Sequence, residues 1–121
     1  MNSQHLVLNG ELIIQNRDTE TISWKGKPNG HLVVNVIEIP EEDDCIVLLE
    51  YWTNGNRFNN LLRINSNGSI IWMSELPSDT GVDAYVKANW QSGNLVAWSW
   101  SGFMVTIDHR TGKILTKEFK K

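Results

Sequence analysis

Apolar and polar residues alternate over short stretches of this chain, and turn signals separate the stretches. Asn-Gly occurs at Asn9-Gly10, Asn29-Gly30, Asn54-Gly55 and Asn67-Gly68, a pair that tolerates the positive φ angles of tight hairpin turns. Ser92-Gly93, Ser101-Gly102 and Thr111-Gly112 add turn signals of the same kind. Val, Ile, Thr, Trp and Tyr dominate the segments between them, as on a pleated surface. The pattern predicts strands near 11–16, 20–25, 31–39, 45–52, 60–65, 69–75, 84–90, 94–100, 102–108 and 113–119. No stretch keeps a capped helical period for three turns, and Pro28, Pro40 and Pro77 all fall between strands. The expected fold is all-β and antiparallel.

A repeat underlies the strands. Three segments align: Asn16 to Trp24, Asn65 to Trp72, and Asp108 to Thr116. Each opens with Asn or Asp after an aliphatic strand, turns, and re-enters a strand with Ile. Upstream, Val47, Leu49 and Tyr51 align with Val96, Trp98 and Trp100, and Val34 to Ile39 with Tyr85 to Trp90. The connection between these strands is two residues longer in the earlier copy, where it holds Glu41-Glu42-Asp43-Asp44. The reading is one all-β domain over 1–121: a partial repeat at about 5–26 and four-stranded repeats at about 31–75 and 83–119.

Phe103 to Asp108 followed by Thr111-Gly112-Lys113 resembles the last strands of a quinoprotein or WD40-like β-propeller blade. Leu62-Arg63-Ile64-Asn65 through Gly68 to Ile71-Trp72 is similar to the same motif, closing Trp included. The first copy departs from it with Glu20 at the glycine position, and the third has Thr116 in place of Trp. The resemblance implies blade-like sheets that bury their faces by stacking. A closed propeller takes about 4–8 blades, so an open stack or sandwich is expected. The cofactor role of large quinoprotein propellers is not carried over, and no cofactor is expected.

Charge and composition narrow the function. The 121 residues hold 11 Lys+Arg against 14 Asp+Glu, a net charge of -3, which argues against a nucleic-acid binder. No apolar run reaches the ~20 residues of a membrane helix. The start, Met1-Asn2-Ser3-Gln4-His5, does not read as a signal peptide, and Cys45 stands alone, so a cytoplasmic location is expected. His5, His31 and His109 share no metal-ligand spacing, and no phosphate loop or nucleophile–base pair emerges. Asn67-Gly68-Ser69 matches a glycosylation acceptor and reads here as a turn. The chain is expected to be no enzyme and to hold no metal.

Two features stand out. The acidic run Glu41-Glu42-Asp43-Asp44, with Glu38 before it and Glu50 along the strand, is either a solvated hairpin loop or a patch that steers a basic partner. Asp79 and Asp83 are candidates to extend it. Trp24, Trp52, Trp72, Trp90, Trp98 and Trp100 make six tryptophans. Trp24 and Trp72 hold a repeat position and read as packing, whereas Trp52 and Trp90 lie at strand ends and are candidate interface anchors. In size, and in the ending Trp98-Ser99-Trp100-Ser101-Gly102 through Thr111-Gly112-Lys113, the chain is similar in type to small bacterial toxin-immunity proteins. That resemblance implies a cytoplasmic protein-binding module, a monomer or small homo-oligomer, that blocks a basic, nuclease-type toxin. Its expected contacts are Glu38, Glu41, Glu42, Asp43, Asp44, Trp52 and Trp90. The alternatives are a blade-repeat lectin acting as an oligomer, and a structural subunit.

Overall fold

The computed structural model describes residues 2–51 and 56–120. Among them, eleven strands form three antiparallel sheets, each a simple meander. The first sheet holds β1 (Ser3–Leu8), β2 (Glu11–Asn16) and β3 (Ile22–Gly26). The second holds β4 (Val33–Glu38), β5 (Cys45–Leu49), β6 (Leu61–Ile64) and β7 (Ile70–Met73). The third holds β8 (Tyr85–Gln91), β9 (Asn94–Ser99), β10 (Phe103–Ile107) and β11 (Ile114–Phe119). A single 3-10 turn, Pro28–Gly30, links the first two sheets. All ten expected strands are present, so the all-β, blade-like reading holds. β1 is the strand that the pattern does not announce, because Ser3-Gln4-His5 carries no β-branched signal.

The sheets stack in chain order. Leu12 and Ile14 of β2 meet Val33, Cys45, Val47, Leu49, Leu62 and Ile64 in one core cluster. The opposite face of the second sheet, with Ile37, Ile46, Leu48, Leu61 and Trp72, meets Tyr85, Leu95, Ala97, Val105 and Ile107 in another. The middle sheet is therefore buried on both faces, which explains why β5 reads as an unbroken apolar run, Cys45-Ile46-Val47-Leu48-Leu49. Asn60, fully buried, stitches these sheets together: its amide donates to Leu49 O at 2.9 Å and Tyr85 O at 2.8 Å, and accepts from Tyr85 N at 2.8 Å.

The observed register corrects the repeat alignment by one residue. Cys45 pairs with Ile64, just before the Asn65 turn, and Leu95 pairs with Ile107, just before the Asp108 turn. Val47 therefore matches Ala97, and Leu48 matches Trp98. Along a strand a shift of one exchanges faces. Two adjacent apolar residues at each of these positions hid the error from a pattern reading.

The stacking contact repeats as well. The Trp24 indole sits on Gly68 in the next sheet's turn, and Trp72 sits on Gly112 in the turn after that. Both glycines have positive φ, +83° and +79°, and a Cβ on either would strike the indole. Trp72 Nε1 also donates to His109 O at 2.8 Å, and Ser23 Oγ donates to Ser66 O at 2.9 Å. The two departures from the motif fall at these same contact positions: Glu20 holds the glycine position of the first turn at φ 59°, and Thr116 stands opposite Thr106 on β11 where Trp72 stands opposite Arg63 on β7.

Candidate functional site

The acidic connection between β4 and β5 runs over 39–44 and lies against the first sheet and β6. Glu41 takes a left-handed conformation at φ 64°, and Glu42 N–H closes the turn on Ile39 O at 3.2 Å. The remaining carboxylates are held from two sides. Arg63 of β6, only 8% exposed, donates through Nε to Asp44 Oδ2 at 2.9 Å and through Nη2 to Glu42 Oε1 at 2.5 Å. Its Nη1 donates to His109 O at 2.9 Å, so one guanidinium joins the loop to the third sheet. Burial opposes the Arg63 charge, but the bonds from Asp44 and then Glu42 outweigh it and raise the side chain's pKa. On the other side, Ser3 N–H donates to Asp43 Oδ1 at 3.0 Å, which holds the Asp43 carboxyl below its usual range. The buried His5 ring lies between Asp43 O, 2.9 Å from Nε2, and the Glu38 carboxylate at Nδ1.

The five acidic candidates are thus brought together, with unequal freedom. Glu42 and Asp44 are paired with Arg63, and Asp43 with Ser3. Glu38 remains half exposed while it contacts His5 and lies 3.8 Å from Arg17. Glu41 points to solvent. An open cleft of about 310 Å³ beside the loop is lined by Glu42, Asp44, Arg63, Ile71 and Arg110. Sequence spacing gave no sign of the Arg63 clamp, because Arg63 lies in an apolar strand far from the loop. Its one signal is a lone cation among Leu-Leu-Arg-Ile, since a buried charge calls for a partner.

Trp90 is half-buried against the core of the second and third sheets, and its ring meets His109 edge-on at 5.2 Å between centroids. Trp52 lies outside the described residues. Among the described residues the most exposed indole is Trp100, at 62%. Trp98 carries the Lys87 ammonium 4.7 Å above its ring. Asp83 does not extend the acidic surface: it is fully buried and accepts from Ala84 N, Ser101 N, Ser101 Oγ and Ser78 Oγ. Cys45 is buried in the core, and burial first, then the Glu38 and Asp44 charges, push its thiol pKa well up. Among the described residues no group of three or more His, Cys, Asp or Glu is placed to hold a metal, and no helix is long and apolar enough to cross a membrane.

The family described as "Domain of unknown function (DUF7957)" matches residues 29–119, most of the chain. The chain belongs to this family. No curated protein matches it. Among solved structures it is similar to BamB from Moraxella catarrhalis, a β-propeller protein, at 16% identity and TM-score 0.59, covering 98% of this chain and 35% of that one. The computationally designed Ika8 protein is similar at 12% identity and TM-score 0.61, with 100% of this chain and 35% of that one covered. A protein of unknown function from Bacteroides caccae is similar at 19% identity and TM-score 0.60, with 95% and 40% covered. This chain therefore spans 35–40% of the length of these three solved structures. At such identities the likeness is one of fold alone: three consecutive propeller-like blades in an open stack.

Proposed function

We propose that the chain is a non-enzymatic protein-binding module whose acidic β4–β5 loop captures a basic protein partner. In its finest form the reading is a cytoplasmic immunity protein that occludes a basic, nuclease-type toxin. The observation that carries it is the preorganisation of the loop, clamped through Arg63 on one side and through Ser3 and His5 on the other. A loop already ordered loses little further freedom on binding, and its summed field speeds encounter with a cation. Arg63 offsets part of the charge at Glu42 and Asp44, so Glu38 and Glu41 become the leading contacts. The experiment is stopped-flow binding to the product of the neighbouring gene, since an immunity protein should be encoded beside its toxin. E38Q/E41Q should slow association several-fold at low ionic strength and much less at high salt. An on-rate unchanged at low salt refutes the reading. The carbohydrate-binding alternative has one observation in its favour, the 62% exposure of Trp100 as a stacking platform. Glycan-array binding abolished by W100A would favour it instead.

A further inference from the structure

The first sheet has three strands where the other two have four, and the shared motif tells which strand is missing. β2, its turn and β3 correspond to β6–β7 and β10–β11, so β1 corresponds to β5 and β9. Both of those are interior strands, paired on one side with β4 and β8. Among the described residues, no strand fills that place beside β1.

The edge that results is built like an interior strand. The outer pairings β2–β3, β4–β5, β6–β7, β8–β9 and β10–β11 all contain a register shift, but β1 pairs with β2 over six consecutive residues without one. β1 holds no Lys, Arg, Asp, Glu or Pro, the residues that guard edges against added strands. Leu6, Val7 and Leu8 are all exposed, at 38%, 37% and 57%.

Hydrogen bonding narrows the open window. Asn9 and Gly10, at φ 53° and 77°, make a two-residue turn, so Leu8 and Glu11 form the closing hydrogen-bonded pair. By alternation Leu6 and Gln4 also bond to β2, while Ser3, His5 and Val7 turn their N–H and C=O outward. Ser3 is already occupied: its N–H donates to Asp43 Oδ1 at 3.0 Å, and its carbonyl accepts from Arg17 Nη2 at 3.2 Å. Beyond the other end, Gly10 O accepts from Val33 N at 2.8 Å. Between these two stops, the backbone groups of His5 and Val7 have no partner among the described residues.

We infer that this edge accepts one extended segment of a partner protein, antiparallel to β1, apolar at alternate positions and basic toward its C-terminal end. The inference rests on the protein-binding reading and names its partner's form. Running antiparallel, the segment ends beside Ser3 and His5, where the half-exposed Glu38 carboxylate and Asp43 lie. That charge selects a basic segment over a second copy of this acidic chain.

The probe is a synthetic peptide copying residues 31–39, which span β4, the edge strand that pairs with β5, with the change E38K. Amide exchange by NMR reads the edge directly. The peptide should slow exchange at His5 and Val7 and leave Gln4 and Leu6, already bonded within the sheet, unchanged. It should bind more tightly than the unaltered 31–39 peptide, by a margin that shrinks with salt. V7P removes an N–H that faces outward, a position where edge strands accept proline, and should weaken binding about tenfold or more. Should V7P fold poorly, the same peptide N-methylated at alternate residues supplies the equivalent loss on the unaltered protein. Unchanged exchange at His5 and Val7, equal binding by the N-methylated peptide, or a mass doubling abolished by V7P would each overturn the inference, the last by giving the edge to a second copy. If the edge fails while E38Q/E41Q still slows capture of the basic partner, protein binding stands and only the strand acceptor falls. If neither responds, both fall.

Discussion

Replacing Gly112 by alanine tests the contact that joins the blades. A Cβ at this position would lie 2.7 Å from Trp72 Cδ2 and Cε3, against an ordinary contact of 3.4 Å or more. The indole must therefore retreat by about 0.7 Å, the difference between these distances. It has little room, being 8% exposed and tied through Nε1 to His109 O at 2.8 Å. Two costs add. Holding alanine at φ +79° costs roughly 1–2 kcal/mol, and overpacking costs a further ~1–3 kcal/mol. Gly93 provides the control, because it has φ +82° and nothing within 4 Å of its would-be Cβ. G93A should lose only the backbone cost. Urea denaturation with unchanged m-values should therefore place G112A about 1–3 kcal/mol below G93A. In a W72A background the excess at position 112 should vanish, giving a coupling energy of that size. Equal losses for G112A and G93A, or an excess that survives W72A, would refute the docking argument.

Three further outcomes follow from the loop and the core. R63A should destabilise by roughly 2–3 kcal/mol in urea, less than a fully buried pair would lose because Glu42 and Asp44 are part-exposed. The Asp43 carboxyl has a pKa below its usual 3.8, so the stability it contributes is present above that value and is lost as pH falls through the depressed one. Wild type should thus exceed D43N by a constant margin near neutral pH, and denaturation curves at about pH 3 should show that margin shrinking. The Cys45 thiol, buried and raised in pKa, should resist a disulfide-exchange reagent at pH 8 in the native state and react at once in denaturant.

The parts of this protein legible in its sequence are those encoded by neighbours along the chain. Turn pairs such as Asn9-Gly10 and Ser92-Gly93 demand positive φ, and alternation between them demands strands, so ten strands and the turn–Ile–Trp repeat could be read directly. The two departures from that repeat, Glu20 in place of glycine and Thr116 in place of tryptophan, were legible there too. Their meaning needed the third dimension, because only stacking shows that each Trp reaches the next sheet's turn. Tertiary structure also decided the face of every residue in the doubly buried β5, where no alternation exists to set a register. It placed β1, whose residues carry weak strand propensity, and left beside it an edge that local sequence cannot reveal. It paired Arg63 with Glu42 and Asp44 across 21 and 19 positions of chain. A charge patch is local in sequence, but the field it presents depends on which cations the fold brings against it.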